Sequence, residues 1–118
     1  MNQAIFVPLR LPGLNELLDS RIRLSKTVKG KGKWNGYTEL KKEWEQVLVP
    51  LFRTRLKPVT GRVRMVYTWR EVNRRRDPSN ISAGGRKLIE DALVRAGILT
   101  LGDGWRGISG IEDSFEIS

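Results

Sequence analysis

The 118-residue chain contains no cysteine and no histidine. The first absence excludes disulfide staples, thiolate metal sites and cysteine nucleophiles. The second removes Ser-His-Asp chemistry, imidazole general bases and histidine-rich zinc catalysis. Any catalysis must therefore rest on carboxylates, lysines, arginines, hydroxyls or a metal held by oxygen. No apolar run approaches the ~18–20 residues that a membrane span needs. The opening Met1-Asn2-Gln3-Ala4-Ile5-Phe6-Val7-Pro8 lacks the charged start and small-residue cleavage site of a secretory signal. No long amphipathic segment has a purely basic polar face suited to an anionic membrane surface. A cytoplasmic protein is the expectation.

Acidic residues are scarce relative to basic ones. Twenty-two Lys/Arg face thirteen Asp/Glu, and the net charge of +9 is the electrostatic footprint of a nucleic-acid partner. Hydrophobic residues at 39 %, with twelve glycines, leave enough for one ordinary core, and the length fits a single domain over 1–118.

Along the chain, residues 4–9 read as a short strand, with Pro8 marking its end or an edge position. A short helical stretch runs from Asn15 to about Arg23, with Leu17, Leu18 and Ile22 able to face inward. Residues 23–36 form a basic loop in which Lys26, Lys29, Lys31 and Lys33 alternate with small residues. Its Gly30-x-Gly32 lacks the third glycine and preceding strand of a dinucleotide fingerprint. The spacing of Leu40, Trp44, Val47, Leu48 and Leu51 predicts a helix over 37–56, kinked or divided at Pro50. From Thr60-Gly61, strict alternation predicts a strand with Val63, Met65, Tyr67 and Trp69 on a core face. The opposite face carries Arg62, Arg64 and Arg70. Residues 72–80 read as a loop. A second helix over 82–96 buries Leu88, Ile89, Ala92, Leu93 and Ala96, and Gly97 supplies the left-handed residue that ends it. Gly102-Asp103-Gly104 is a turn, and residues 105–118 hold a final short strand. The expected class is α+β, a small mixed or antiparallel sheet packed against two main helices.

The densest cationic run lies between Arg53 and Arg76, with nine Lys/Arg and only Glu71 opposing them. A solvated surface would mix acids in, as residues 39–45 do, so phosphate contact is the sharper reading. Each phosphate neutralised steepens the salt dependence of duplex binding by ~0.9 log units per log salt. Asp77 follows Arg74-Arg75-Arg76 directly. A structural ion pair explains an acid beside arginines. A divalent metal explains it too, because carboxylates hold Mg²⁺ and the metal takes a phosphate oxygen.

The segment Arg74-Arg75-Arg76-Asp77-Pro78-Ser79-Asn80-Ile81 resembles the signature loop Arg-Asp-x-Asp-Asn of the RusA family of Holliday junction resolvases. The continuation Lys87-Leu88-Ile89-Glu90-Asp91-Ala92-Leu93-Val94-Arg95-Ala96-Gly97 and the later Gly102-Asp103-Gly104-Trp105 are similar to the family's phage-type members. The specific part covers about residues 70–110, and the N-terminal third agrees in layout only. The resemblance implies a small α+β homodimer that binds four-way DNA junctions in recombination, repair or phage DNA processing. It also implies cleavage of symmetrically paired phosphodiesters with Mg²⁺. Asp77 matches the first metal-binding aspartate, Asp103 the acid after the helix, Asn80 the loop asparagine, and Lys87 the functional helix lysine. The family's second loop aspartate falls on Ser79. A hydroxyl is a neutral, weaker ligand than a carboxylate, so this departure lowers Mg²⁺ affinity and rate. Family members of this type also continue into another strand beyond the point that Ser118 matches.

The remaining acids and aromatics divide by reach. Asp91 lies roughly 16 Å along a helix starting near Asn80, at ~1.5 Å per residue. It is a second-tier ligand whose spacing to Lys87 and Arg95 suits helix-face ion pairs. Asp103 is six residues beyond Gly97, and an extended chain at ~3.3 Å per residue lets it return about 20 Å toward the helix start. Trp44 and Trp69 belong to the core. Trp34 either stacks on an unpaired base or anchors the basic loop. Trp105 is expected to fix the Asp103 turn by packing.

The leading expectation is an endonuclease in which Asp77 and Asp103 hold Mg²⁺ and Lys87 stabilises charge at the scissile phosphate. Arg74, Arg75, Arg76, Arg62, Arg64, Arg70, Asn80, Lys29, Lys31 and Lys33 would hold DNA. Two alternatives stay open. One is a non-catalytic junction-binding protein of the same fold, disabled by Ser79. The other is a basic RNA-binding protein of ribosomal type, which explains the charge but not Asp77 and Asp103.

Overall fold

The computed structural model describes residues 2–16 and 36–117. Helix α1 spans Gly36–Arg55, strand β1 Val63–Glu71, helix α2 Pro78–Arg95 and strand β2 Ile108–Ile117. Residues 14–16 form a further helical turn, and the remainder of the expected 15–23 helix lies outside the described residues. Lys29, Lys31, Lys33 and Trp34 lie outside them too.

β1 follows its alternation. Tyr67 and Trp69 are buried and Met65 is half-buried under the helices, while Arg64, Val66, Thr68 and Arg70 face outward. Pro78 then starts α2 four residues earlier than the apolar spacing alone indicates, because its fixed φ suits a first helical turn. At the other end Gly97 adopts φ +78°, its N–H bonds to Val94 O, and Ile98 N–H bonds to Leu93 O. Those two bonds form a Schellman stop.

The chain then enters β2 parallel to β1, in register from Val63↔Ile108 to Glu71↔Ile117 with a bulge after Val63. Among the described residues the sheet is this parallel pair, not the mixed or antiparallel sheet expected. The reason is α2. A helix long enough to run back along β1 delivers the chain to the end where β1 began, and the next strand must point the same way. A parallel Val59↔Leu99 bridge extends the pairing below the sheet.

The expected strand over residues 4–9 does not form: the segment enters no ladder, and Leu9 lies in a bend. Pro8 has no N–H to give one. The segment is fastened by its ends: Gln3 Nε2 donates to Lys57 O at 3.0 Å, and Lys57 N–H donates to Gln3 Oε1 at 2.7 Å. Leu11 is buried, and Ile5 and Val7 pack at the core's margin.

α1 buries Leu48, Val49 and Phe52, with Leu40 and Trp44 half-buried, whereas Val47 is exposed. Pro50 neither ends nor divides this helix, which continues to Arg55. Pro50 stands exposed beside the exposed Gln46, so the carbonyl it leaves without a donor can face water. Phe52 and Leu48 pack with Leu88, Ala92 and Leu93 of α2 in one core. Gly84 and Gly85 sit inside α2 where alanine has higher helix propensity. A Cβ on Gly84 would meet the backbone of Gly13 at 2.4 Å, and one on Gly85 the Trp69 indole at 2.5 Å. Both glycines let the N-terminal segment and β1 lie directly against the helix.

Candidate nucleic-acid interface

The loop after β1 and the first turn of α2 gather Arg74, Arg75, Arg76, Asp77, Ser79 and Asn80 at one end of the fold. The three arginines do not share a role. Arg76 is largely covered, with 12 % of its side chain exposed, against Glu71 at 15 %. Its Nε donates to Glu71 Oε1 at 3.0 Å and its Nη2 to Glu71 Oε2 at 2.8 Å. Nη1 donates to Leu11 O at 2.9 Å and Glu16 Oε1 at 3.1 Å. This fork ties the end of β1 to the N-terminal segment, and the bonds to Glu71 hold the guanidinium charged against its burial. Arg74 and Arg75 are exposed and make no ion pair among the described residues.

Asp77 occupies the N-cap of α2 in an extended conformation, but its side chain makes no cap bond. The carboxylate is exposed and, among the described residues, has no hydrogen-bond or ion-pair partner. Ser79, the second residue of the helix, is exposed in its first turn. Asn80 is committed elsewhere: its Oδ1 accepts the Asn15 N–H at 2.8 Å, and its amide lies against Gly13.

The outward face of β1 is less cationic than its sequence, because β2 brings acids beside it. Arg64 pairs with Glu112 at 2.8 Å and Arg70 with Glu116 at 3.2 Å. Arg62 donates weakly to Ile108 O at 3.4 Å. The register Val66↔Glu112 to Arg70↔Glu116 produces these pairs, and it was not legible without knowing which strand neighbours β1.

Asp103 is exposed in the turn before β2. That turn closes at the end where β1 starts, while Asp77 lies beyond the end where β1 stops. The nine residues of β1 at ~3.3 Å each separate these ends by ~25–30 Å. The reach that would let Asp103 return along the helix is not used, since the chain turns into β2 instead. Lys87 is exposed two to three turns along α2 from Asp77 and lies 3.5 Å from Asp91. Asp91 Oδ2 is buried without a hydrogen bond, and Lys41 at 3.4 Å with Lys87 neutralises it. Arg95, the other expected partner of Asp91, pairs with Glu45 across the helices instead. Asp77, Asp103 and Lys87 of one chain therefore do not converge, and among the described residues no group of three acids is placed to hold a metal.

Sequence reasoning missed a polar network beneath the sheet. The Tyr67 hydroxyl donates to Glu90 Oε2 at 2.7 Å, and Trp69 Nε1 donates to Asp113 Oδ1 at 2.8 Å. The two rings stack at 5.2 Å, and Arg86 lies 3.8 Å from Asp113. Burial raises the Glu90 pKa, the Tyr67 bond and Arg86 oppose this, and Asp103 and Asp91 add to it. Burial, with the Glu90 carboxylate, pushes the Tyr67 hydroxyl far above its ordinary range. The signal available in sequence was a tyrosine and a tryptophan on one strand face, whose polar atoms need partners when buried. Trp105 does not pack on its turn: it is 91 % exposed, with Arg106 exposed beside it. No helix among the described residues is long and apolar enough to cross a membrane.

No protein-family model, no curated protein and no solved structure matches the chain.

Proposed function

We propose that the chain is a RusA-like, Mg²⁺-dependent endodeoxyribonuclease of the cytoplasm that acts on four-way DNA junctions as a homodimer. The observation that carries this reading is the state of the signature loop. Arg76 is consumed in holding the loop, while Arg74, Arg75 and the Asp77 carboxylate are left exposed together at the start of α2. A carboxylate beside two arginines repels the phosphate that they attract, unless it serves a further purpose there. Arg74 and Arg75 would take backbone phosphates, and the exposed Trp105 would offer a stacking face to an unpaired base.

Mg²⁺ would bring charge stabilisation and an activated water to such a site. The acids of one chain do not fit a single ion, since Asp77 and Asp103 stand at opposite ends of β1. Cleavage of a labelled junction in Mg²⁺ by the chain and by Asp77→Asn tests the assignment. Loss of cutting with retained binding supports it, and undiminished cutting by the variant removes Asp77 from the site. Ser79 favours a second reading, a junction binder that does not cut. It predicts salt-sensitive junction binding without cleavage at any Mg²⁺ concentration.

A further inference from the structure

We propose that the chain carries a second nucleic-acid surface, at the end of the fold opposite Asp77, that takes a single strand with one base on the Trp105 indole and the flanking phosphates on Arg62 and Arg106. This surface is separate from the loop at Asp77 and does not depend on cleavage there. Both long helices end at this pole, and both strands begin there. Val59 N–H donates to Ile98 O at 2.9 Å and Val63 N–H to Gly107 O at 2.8 Å, which seats the connection after α2 against the start of β1. The Arg62 guanidinium reaches across to Ile108 O at 3.4 Å, close to the backbone that follows Arg106. Trp105 stands on a braced turn. Gly102 takes φ +82°, and its N–H bonds to Leu99 O at 3.2 Å. The N–H groups of Gly107 and Ile108 both close on Gly104 O, at 3.1 and 3.0 Å. Gly107 lies so near Gly102 O that a Cβ there would clash. The indole is nevertheless 91 % exposed. A backbone fixed on both sides of an exposed ring leaves little to be ordered when a ligand stacks on it.

The charges at this pole stay unspent because of the strand register. The acids that neutralise Arg64 and Arg70 begin at Glu112, and no acid of β2 precedes it. Arg106 is exposed and makes no ion pair among the described residues, and the same holds for Arg55 at the end of α1 and Lys57 just beyond it. Asp103 is the one acid in the sequence between Asp91 and Glu112. Cations in excess of a single carboxylate attract a phosphate backbone. Between Val94 and Ile111, Trp105 is the only exposed large apolar side chain, so a protein partner would find no apolar surround at this point. A nucleobase needs only the flat face of the ring. Bases inside a duplex have both faces covered by their neighbours, which selects a single strand. Asp77 stands beyond the other end of β1, ~25–30 Å away at ~3.3 Å per residue. The two surfaces therefore touch different parts of a nucleic acid.

A thymidine oligonucleotide of about ten residues, which forms neither duplex nor junction, is titrated against the chain while tryptophan emission is followed. The matching duplex is titrated beside it. The expected result is a strand complex with quenched emission, tighter than the duplex complex. Trp105→Ala should remove the Trp105 share of the quenching and weaken strand binding by roughly 5- to 150-fold. Trp105→Phe, which keeps an aromatic face, should recover most of the affinity. Arg62→Gln and Arg106→Gln should each flatten the log–log salt dependence of strand binding by ~0.7. Strand affinity unchanged in Trp105→Ala overturns the proposal, and so does a duplex bound as tightly as the strand. A Trp105-dependent strand complex from a chain that cuts no junction keeps this surface and removes the endonuclease reading. Junction cleavage without that complex removes this surface alone.

Discussion

Arg74, Arg75 and Arg76 are identical in type and adjacent in sequence, yet the structure separates their functions, and substituting them one at a time tests that separation. Arg76→Met keeps the length of the side chain and removes the fork. Four hydrogen bonds disappear, and the Glu71 carboxylate, only 15 % exposed, loses both donors that Arg76 gives it. Breaking a buried pair from one side costs ~3–5 kcal/mol, and residual exposure here places the loss near ~3 kcal/mol. For a domain of this size that lowers Tm by roughly 10–15 °C. Arg74→Gln and Arg75→Gln remove no described ion pair, so each should stay within about 0.5 kcal/mol of the parent. Each should instead flatten the log–log salt dependence of DNA binding by ~0.9. Thermal unfolding and salt titration on all three variants separate the roles. The reasoning fails if Arg76→Met melts with the parent, or if Arg74→Gln and Arg75→Gln lower Tm as far as Arg76→Met does.

Three further outcomes follow from the same packing. Glu90 has its pKa raised above its ordinary 4.5 by burial, so folding takes up a proton there as pH rises past the unfolded value, and stability is lost as pH climbs through the folded one. Glu90→Gln should therefore raise Tm at neutral pH, with the gain shrinking to nothing below the ordinary carboxylate range; a gain constant with pH contradicts this. Gly84→Ala, normally favourable in a helix by ~1 kcal/mol, should destabilise here because the added Cβ meets backbone that cannot yield. Denaturant midpoints decide the sign. Trp105→Ala should leave Tm unchanged while weakening junction binding, by about 1–3 kcal/mol if one base stacks on the indole. Unchanged binding takes Trp105 out of the interface.

What the sequence made legible was the local structure with a strong period. β1 appears with its expected core face, α1 appears where the apolar spacing places it, α2 covers its expected stretch but starts four residues earlier at Pro78, and Gly97 ends α2 as its conformational freedom allows. The errors are tertiary. The direction of β2 depends on which end of the sheet α2 returns the chain to, and no residue in β2 encodes that. The supposed cationic face of β1 is neutralised by Glu112 and Glu116, which lie far along the chain and meet it only through the strand register. The reach of the chain permitted Asp103 to approach Asp77, but permission from length is not placement. Asn80, expected at the DNA, also holds Asn15, a tie that the local sequence does not announce. Trp105 was read as packed, yet it is bare. In both cases the deciding partner, or its absence, lies outside local sequence.

The central claim is that the signature loop serves junction cleavage, and the most direct measurement compares the chain with Ser79→Asp. Both are titrated against a labelled four-way junction and the matching duplex, then supplied with Mg²⁺. The account predicts that both prefer the junction and that Ser79→Asp, which adds a second carboxylate in the first turn of α2 two residues after Asp77, cuts the faster. Equal affinity for junction and duplex, with no cleavage by either protein, contradicts it.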